Sequence, residues 1–363
     1  MNLIHPIHHC IFLSGILRSL TNLILRANSS SVIMTSSKLL HAFIFYLSTT
    51  LAILRFSIDG FFKLNRASIL FNLVDIIFSI YYRLCGLTSF TVDLDDQTTV
   101  HFWTSNYRRI DRPNLVMIHG YGGDARWQFL YHVGFLSRKF NLYMPDLVFF
   151  GKSYSNRADR TDAFQARCLL QGLKGLGLER FSVYSISYGG YVAYRMAEMC
   201  GKEMEKLVIV STGIGWSDDE KREHIRKIGR DPKDLLVPTN PHDLRTLVEL
   251  SMYKGKPLRW LPDFFLQEFI NVMGNNHRKE KLELVEHLLA KKADTNPPVL
   301  TQETLLIWGD QDKVFPVSLA HQLQRHLGPK SRVEIIKDAG HAVNMESPDA
   351  VNSLLTSFLL GHS

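Results

Sequence analysis

The pattern of apolar and polar residues changes along the chain at Phe90. Apolar and polar residues alternate from Phe90 to Leu94 and from Thr98 to Trp103, and Asp95-Asp96-Gln97 separates the two segments. This alternation around a polar turn predicts a β-hairpin. After Asn114 the apolar residues form short continuous runs instead, which are typical of strands covered by helices on both faces.

The continuous runs recur through the rest of the chain. They are LVMIHG, FNLYMPDL, RFSVYSIS, KLVIVSTG, TLLIWGD and RVEIIKDAG. Helical patterns lie between most of them, including Arg126 to Arg138, Ala163 to Gly175 and Tyr188 to Cys200. This alternation of strands and helices predicts an α/β fold with a doubly wound, mostly parallel sheet.

One long segment interrupts the alternation. About 90 residues between Gly213 and Thr304 lack strong strand patterns, and this length is too great for an ordinary loop. The helical patterns within it are Asp218 to Ile228, Pro241 to Ser251, Asp263 to Met273 and Lys279 to Lys292. The sequence therefore predicts a helical cap or lid at residues 215–301, inserted into a core of residues 89–214 and 302–363.

Residues 1–88 form an apolar N-terminal extension, in which Asp59 is the first acidic residue. Its apolar stretches are Ile11 to Leu25, Leu39 to Leu54 and Ile69 to Leu87. The middle stretch carries no charge but is slightly shorter than the ~20 residues that cross a bilayer. The third predicts an amphipathic helix that lies on a membrane surface or covers the main domain. The apolar side of that helix consists of Leu73, Ile76, Ile77, Ile80 and Leu84.

Three interpretations of the extension stay open. It anchors the protein to a membrane or lies on its surface, it is a transit or signal peptide, or its helices pack on the main domain. Met34 is an alternative start, which would make the first 33 residues dispensable. We expect a membrane-associated protein that faces a reducing compartment on the cytosolic side. An organelle, reached after removal of a targeting peptide, is the alternative.

Charge and cysteine usage exclude other classes. The formal charge is +7, but residues 1–58 contain no acid and supply +4 of it. A stripe of Lys and Arg interleaved with aromatic residues is missing from the remainder, so nucleic acid is not an expected partner. The cysteines, at positions 10, 85, 168 and 200, lie far apart without metal-ligand spacing. They argue against a disulfide framework and for either a reducing compartment or a protein that is indifferent to redox conditions.

The segment Ser185-Ile186-Ser187-Tyr188-Gly189-Gly190 follows an apolar run and opens a helical pattern. A nucleophile on a tight strand-to-helix turn needs small neighbours, because the backbone there is strained and crowded. Ser187 stands where such a turn exposes its hydroxyl, and the following helix directs its positive end to the same place. We predict that Ser187 is a nucleophile. An unreactive serine in a tight turn is the alternative.

A second glycine-rich segment, His119-Gly120-Tyr121-Gly122-Gly123, closes the run LVMI. Acyl transfer needs two backbone donors directed at the developing oxyanion, and the N–H groups of Tyr121 and Tyr188 are the candidates. A phosphate-binding loop is the alternative, but the spacing is not GxGxxG and a Walker lysine is missing.

Polar residues after the last two predicted strands complete the candidate site. In the segment WGDQD we assign Asp312 as the supporting acid and Asp310 to the stabilisation of the turn. Of the 15 histidines, only His341 occupies a loop after a strand in the chain order Ser, Asp, His. A serine hydroxyl near neutral pH needs an adjacent imidazole to take its proton and a carboxylate to orient that imidazole.

At these motifs the chain resembles the α/β-hydrolase superfamily, from about Phe90 to the C-terminus. It looks most similar to plant α/β-hydrolases related to monoacylglycerol lipase and epoxide hydrolase. The matching motifs are HGYGGDARWQF, PDLVFFGKS, SISYGG, WGDQDKVFP and AGHAVNMESP. The resemblance implies an α/β-hydrolase fold in which the insertion is the cap. It also implies the site residues, which are the triad Ser187, Asp312 and His341 and the oxyanion donors Tyr121 and Tyr188.

Two positions distinguish this chain within the superfamily. The nucleophile motif usually begins with glycine, whereas this chain has Ser185, which implies a modest packing adjustment. Epoxide hydrolases and haloalkane dehalogenases of this fold use an aspartate nucleophile, whereas this chain has Ser187. An epoxide hydrolase is therefore not expected.

The expected activity is hydrolysis of a carboxylic ester, with a small-molecule ester or a monoacylglycerol-like lipid as substrate. The apolar extension and the aromatic residues of the cap favour a lipid, and we assign Trp260 and Phe265 to substrate binding. Packing of the cap on the core would explain such residues equally well. A hormone-like receptor that retains a slow triad, and a C–C bond hydrolase or lyase, are the alternatives. The resemblance implies no metal or organic cofactor.

Overall fold

The computed structural model describes residues 66–255, 258–290, 292 and 297–361. Its strands are β1 (Leu87–Asp93), β2 (Thr98–Ser105), β3 (Asn114–Ile118), β4 (Asn141–Pro145), β5 (Tyr154–Ser155), β6 (Phe181–Ile186), β7 (Met204–Val210), β8 (Glu303–Gly309) and β9 (Ser331–Ile336). Its α-helices are α1 (Arg66–Leu84), α2 (Ala125–Leu136), α3 (Asp162–Gly175), α4 (Tyr188–Cys200), α5 (Asp218–Ile228), α6 (Pro232–Leu236), α7 (Pro241–Ser251), α8 (Asp263–Phe269), α9 (Arg278–Ala290), α10 (Ser318–Leu327), α11 (Val343–Glu346) and α12 (Pro348–Leu360). A π-helical segment (Ile270–Gly274) follows α8.

The strands form one sheet in the order β1-β2-β4-β3-β6-β7-β8-β9, and β5 pairs with β2. The pairs that involve β2 are antiparallel, whereas every pair from β4–β3 to β8–β9 is parallel. The predicted hairpin and the predicted mostly parallel sheet are therefore confirmed. Strand β1 begins at Leu87, earlier than the alternating pattern indicated, because its first residues pair with the end of β2.

Helices cover both faces of the sheet. On β6, Val183 belongs to the same apolar cluster as Val192 of α4, whereas the next residue, Tyr184, contacts Phe129 of α2 with ring centroids 5.5 Å apart. Successive side chains of a strand point to opposite faces, so α4 and α2 lie on opposite sides of the sheet. All four side chains are buried, and burial of apolar surface is the main force that holds these layers together.

Between β7 and β8 the chain forms helices α5 to α9 and the π-helical segment, and this insertion is called the cap below. The helical patterns predicted in this segment are confirmed. Several of the cap helices share a small apolar cluster of Leu244, Phe265, Leu266 and Ile270. The predicted limits of the cap, residues 215–301, remain a prediction.

Helix α1 packs on the main domain. Its fully buried Tyr82 donates a hydrogen bond to the carbonyl oxygen of Arg126 over 3.0 Å. The guanidinium of Arg126 in turn forms an ion pair with Asp75 of α1, with an N–O distance of 2.6 Å. The predicted helix is confirmed, but it packs on the domain through Val74, Phe78 and Tyr82. Most of its predicted apolar side faces solvent instead, through Leu73, Ile76, Ile80 and Leu84.

The other predicted features of the extension, Ile11 to Leu25, Leu39 to Leu54 and the alternative start Met34, lie outside the described residues. Within the described ranges, no helix combines the length and the apolarity that a membrane span requires.

Candidate active site

Ser187 lies at a sharp turn between β6 and α4. Its backbone has φ 53° and ψ −117°, a conformation that L-residues other than glycine adopt only at a cost of about 1–3 kcal/mol. The N–H of Ser187 donates to the carbonyl of Val210 over 2.8 Å, and its carbonyl accepts from Gly190 over 2.9 Å. These two bonds hold the strained turn, and strain of this kind concentrates at functional sites.

Glycines allow the turn to touch the loop after β3. A Cβ atom on Gly189 would lie 2.5 Å from the carbonyl oxygen of His119, and one on Gly120 would lie 3.0 Å from Cβ of Ser187. Both distances are shorter than ordinary contacts between atoms, so a side chain at either position would force its neighbours to shift. The glycines therefore bring the backbone that carries Tyr121 next to Ser187.

Ser185 stands where the motif usually has glycine, and its hydroxyl has a hydrogen-bond partner in the structure. It is fully buried, and its Oγ donates to the carbonyl oxygen of Val208 over 3.0 Å. A buried hydroxyl that has a hydrogen-bond partner carries no unpaired desolvation cost. The expected packing adjustment therefore consists of this one bond to the neighbouring strand.

Ser187, His341 and Asp312 form a continuous hydrogen-bonded chain. His341 Nε2 lies 2.9 Å from Ser187 Oγ, and His341 Nδ1 lies 3.0 Å from Asp312 Oδ2. A carboxylate only accepts hydrogen bonds, so Nδ1 carries the proton and the Nε2 lone pair faces the serine hydroxyl. In this arrangement the imidazole is ready to accept the serine proton.

The second oxygen of Asp312 fixes the carboxylate itself. Asp312 Oδ1 accepts hydrogen bonds from the N–H groups of Val314 and Phe315, both over 2.8 Å. Asp310 instead accepts from the N–H of Ala339 over 3.3 Å, so its side chain bonds to the loop that carries His341, whereas the sequence predicted a bond within its own turn. The two acids thus occupy the separate positions that the sequence indicated.

The loop that carries His341 depends on an acid that the sequence analysis missed. Glu346 Oε2 accepts a hydrogen bond from the N–H of Gly340 over 2.6 Å, and Glu346 Oε1 accepts from the N–H of Lys254 in the cap. A Cβ atom on Gly340 would lie 2.8 Å from the carbonyl oxygen of Ser251. The cap therefore packs directly against the histidine loop. An acid five positions after the histidine was the only local signal.

The N–H groups of Tyr121 and Tyr188 border the same turn. Tyr188 is the first residue of α4, where N–H groups have no partner within the helix. In the part of the chain that the structure describes, neither N–H has a protein acceptor. The rings of these two tyrosines meet edge to face, with centroids 6.0 Å apart.

Gln128 of α2 and His119 hold the loop after β3. Gln128 Oε1 accepts from the N–H of Gly120 over 2.8 Å, and Gln128 Nε2 donates to the carbonyl of Tyr121 over 3.3 Å. His119 Nε2 accepts from the N–H of Leu147 over 2.9 Å, and Nδ1 lies 2.7 Å from the carbonyl oxygen of Gly120. Burial lowers the pKa of His119, which keeps this ring neutral. Neither role was evident from sequence.

The structure does not bring Trp260 and Phe265 together at this site. Trp260 is 47% exposed, whereas Phe265 is buried within the small apolar cluster of the cap. Neither residue lines the cavity of about 30 Å³ that lies between the loop after β3 and the cap. Their assignment to substrate binding stays a prediction.

Comparison with known proteins identifies relatives for most of the chain. The model of the Alpha/beta hydrolase family matches residues 115–354. Monoacylglycerol lipase ABHD6 of Bos taurus is 28% identical over 260 residues, which cover 68% of this chain and 75% of that protein. A 2-hydroxy-6-oxononadienedioate/2-hydroxy-6-oxononatrienedioate hydrolase of a Pseudomonas species is 26% identical over 261 residues, covering 68% of this chain and 87% of that protein.

Solved structures share the fold. The crystal structure of a membrane phospholipase A, described as a bacterial virulence factor, superposes with a TM-score of 0.69 at 21% identity. The match covers 89% of this chain and 98% of that one. Together with the parallel sheet and its two helical layers, this similarity confirms the α/β-hydrolase fold that the motifs predicted.

Proposed function

Because the chain belongs to the Alpha/beta hydrolase family, whose model matches residues 115–354, we propose that it cleaves carboxylic esters through an acyl-enzyme on Ser187. The observation that carries this proposal is the chain of hydrogen bonds from Ser187 through His341 to Asp312, with distances of 2.9 and 3.0 Å. The fold by itself hosts several activities, so the proposal rests on this site.

The reaction begins when Ser187 Oγ attacks the ester carbonyl carbon and His341 Nε2 takes the hydroxyl proton. Asp312 stabilises the imidazolium that forms. The N–H groups of Tyr121 and Tyr188 bind the negative oxygen of the tetrahedral intermediate. As the intermediate collapses, His341 returns the proton to the departing alcohol. A water molecule then attacks the acyl-enzyme with His341 as base, which releases the acid and restores Ser187.

We propose a lipid ester as the preferred substrate class. Relatives named monoacylglycerol lipase, a fold neighbour named membrane phospholipase A and the apolar residues of the cap support this choice. Substrate contact by Trp260 and Phe265 belongs to the same proposal. A substrate that partitions into membranes would reach the site from the cap side.

We also propose that the protein associates with a membrane through helix α1. Four apolar side chains of α1 are about half exposed or more, namely Leu73, Ile76, Ile80 and Leu84. A helix with one apolar exposed side can lie in the interface between lipid head groups and acyl chains. Cys85, Cys168 and Cys200 are free thiols, which fits a reducing compartment on the cytosolic side. Import into an organelle after cleavage is the alternative.

Cleavage of an activated C–C bond is the second candidate. Its support is the similarity to the Pseudomonas 2-hydroxy-6-oxononadienedioate/2-hydroxy-6-oxononatrienedioate hydrolase. The same serine, histidine and oxyanion donors would serve either reaction, so substrate comparison must separate them.

Labelling with a fluorophosphonate probe tests the proposal. We expect the native protein to be labelled and Ser187→Ala to show no labelling, because the probe reacts with activated serines. Ser353→Ala is the matched control, since Ser353 lies on the exposed side of α12 and bonds only to the carbonyl of Asp349. Monoacylglycerols, short esters and a 2-hydroxy-6-oxo-dienoate would follow as substrates. A folded native protein that is not labelled, and that binds ligands without turnover, would contradict a hydrolase and favour a receptor.

A further inference from the structure

One lysine of the cap is buried beside the loop that carries Tyr121. Lys281 on α9 is 3% exposed. Its ammonium group donates to the carbonyl oxygen of Met273 and lies 5.2 Å from the ring centroid of Phe150. The hydroxyl of Tyr121 donates to the carbonyl oxygen of the same lysine over 2.6 Å. Lys281 therefore lies directly against a residue of the proposed oxyanion hole.

Lys281 lines the cavity between the loop after β3 and the cap, which has a volume of about 30 Å³. Tyr121, Gly122, Gly123 and Phe150 form the wall on the core side. The described residues of the wall on the cap side are apolar apart from this lysine, and they include Leu244, Phe269, Ile270 and Met273. Among the residues that the structure describes, Lys281 is thus the single charged residue of the lining.

The charge of Lys281 has no direct counter-ion in the described part of the chain. An ammonium group has three donors, and one acceptor, the carbonyl of Met273, is in contact with it. The nearby guanidinium of Arg278 bonds to the carbonyl of Val237 over 2.7 Å and adds a second positive charge. Asp124 and Glu280 both attract the lysine from a distance, and the carboxylate of Asp124 is already paired with Arg126 over 3.0 Å.

We propose that Lys281 binds a carboxylate group of the substrate in this cavity, so that the enzyme prefers esters bearing such a group to neutral esters. The inference rests on the proposed ester hydrolysis. A buried cation is costly unless it is paired and hydrogen-bonded, and a carboxylate supplies the missing charge and two acceptor oxygens. A neutral ligand group would leave the charge uncompensated.

The size of the cavity restricts which part of a substrate enters it. A single water molecule needs about 10–15 Å³ of such space, so a cavity of about 30 Å³ has room for a small polar group. An acyl chain is too large for it. We therefore assign the cavity to a terminal or branching carboxylate, and the rest of the substrate lies elsewhere under the cap.

The protonation of Lys281 supports the same assignment. Burial lowers its pKa to about 8, so the ammonium form predominates at neutral pH and is lost above pH 8. A bound carboxylate stabilises the charged form. Preference for an anionic substrate should therefore be strong below pH 8 and decline as the pH rises through that value.

Two pairs of esters test the proposal in the full-length protein. The first pair, mono-p-nitrophenyl adipate and p-nitrophenyl hexanoate, differs by a carboxylate at the acyl end. The second pair, 4-butyryloxybenzoate and 4-butyryloxybenzamide, differs by a carboxylate on the leaving group. We expect the native protein to favour the anionic member of one pair by about 10-fold or more in kcat/KM. Charge-assisted hydrogen bonds of about 1.5–3 kcal/mol correspond to such factors.

Substitutions of the lysine separate charge from packing. Lys281→Met should lower the ratio of the anionic to the neutral kcat/KM about 10- to 100-fold, and Lys281→Arg should retain part of it. Lys279→Met is the matched control, because Lys279 lies on the same helix with its side chain 83% exposed, and it should keep the native ratio. In the native protein the ratio should fall between pH 7 and pH 9, a measurement that needs no variant.

Four results would overturn the proposal. Equal or faster hydrolysis of the neutral member in both pairs would exclude an anion site, as would an unchanged ratio in a folded Lys281→Met protein. A pH-independent ratio in the native protein would do the same where that variant does not fold. If no ester of either pair is hydrolysed faster than by Ser187→Ala, ester hydrolysis itself is wrong and this inference with it.

Discussion

The side chain of Gln128 forms two hydrogen bonds with the backbone of Gly120. The N–H of Gly120 donates to Gln128 Oε1 over 2.8 Å, and Gln128 Nε2 donates to the carbonyl of Gly120 over 3.0 Å. Nε2 also donates to the carbonyl of Tyr121 over 3.3 Å. These bonds hold the peptide groups on both sides of the Tyr121 N–H, so Gln128 positions one donor of the proposed oxyanion hole.

Replacement of Gln128 by leucine should therefore lower kcat about 10- to 100-fold with little change in KM. The effect stays below the roughly 10²–10³-fold cost of removing an oxyanion donor, because the N–H of Tyr121 is displaced rather than lost. Steady-state kinetics on p-nitrophenyl butyrate measure both constants. Gln171→Leu, which breaks an exposed bond to the carbonyl of Leu94, is the control. An unchanged kcat in a folded Gln128→Leu protein would show that the loop keeps its position without this residue.

Asp312→Asn should reduce kcat/KM about 10³- to 10⁴-fold, because a neutral amide does not stabilise the imidazolium of His341. Asp310→Asn tests the assignment of the two acids. The side chain of Asp310 accepts a hydrogen bond from the N–H of Ala339. The amide oxygen of asparagine can still accept this bond, so a loss below about 10-fold is expected. Steady-state kinetics of the two variants show which acid supports His341, and thermal melting checks that both variants are folded. The reverse order of effects would assign the supporting role to Asp310.

Gly189→Ala should destabilise the protein by about 1–3 kcal/mol and abolish labelling by the fluorophosphonate probe. The added Cβ would lie 2.5 and 2.7 Å from the carbonyl oxygens of His119 and Ile118. These are backbone atoms at the end of the central strand β3, so moving them away costs free energy. Gly175→Ala is the comparison, since its Cβ would meet only the side chain of Val92 at 3.2 Å. Urea unfolding and labelling measure the two effects. Native labelling of Gly189→Ala would mean that the two loops separate more easily than the contacts indicate.

Acid should weaken the fold through His132. This ring is fully buried, with Nε2 3.0 Å from the carbonyl oxygen of Asn344 and Nδ1 2.7 Å from the side-chain amide of Asn352. Burial lowers its pKa to about 4, whereas the unfolded chain has the ordinary value of about 6.5. Its contribution to stability is therefore complete above pH 6.5 and is lost as the pH falls towards 4.

Between pH 7 and pH 5 this single histidine should cost about 2 kcal/mol of unfolding free energy. Urea unfolding at the two pH values measures the loss, and His132→Gln should reduce the difference between them. His321→Gln, at an exposed position on α10, should leave the difference as in the native protein. Equal pH dependence in the native and His132→Gln proteins would mean that other groups cause the acid sensitivity.

Much of the site could be predicted from sequence because the parallel fold translates chain order into position. Strands that run in the same direction end at the same edge of the sheet, so polar residues just after β6, β8 and β9 come together there. That is why Ser187, Asp312 and His341 could be selected from many serines, acids and histidines. The cap aromatics had no such constraint, and Trp260 and Phe265 lie apart, one exposed and one buried.

The sequence by itself determined the α/β pattern, the strained turn at Ser187 and the two glycine-rich loops, since each depends on residues a few positions apart. Only the tertiary structure decided that Gln128 holds Gly120, that Glu346 joins the histidine loop to the cap, and that Lys281 lies buried beside Tyr121. The physical reason is that a glutamine, glutamate or lysine is normally found at the surface. Burial of Lys281 depends on packing between segments 160 positions apart, so it could not be predicted from a local sequence pattern.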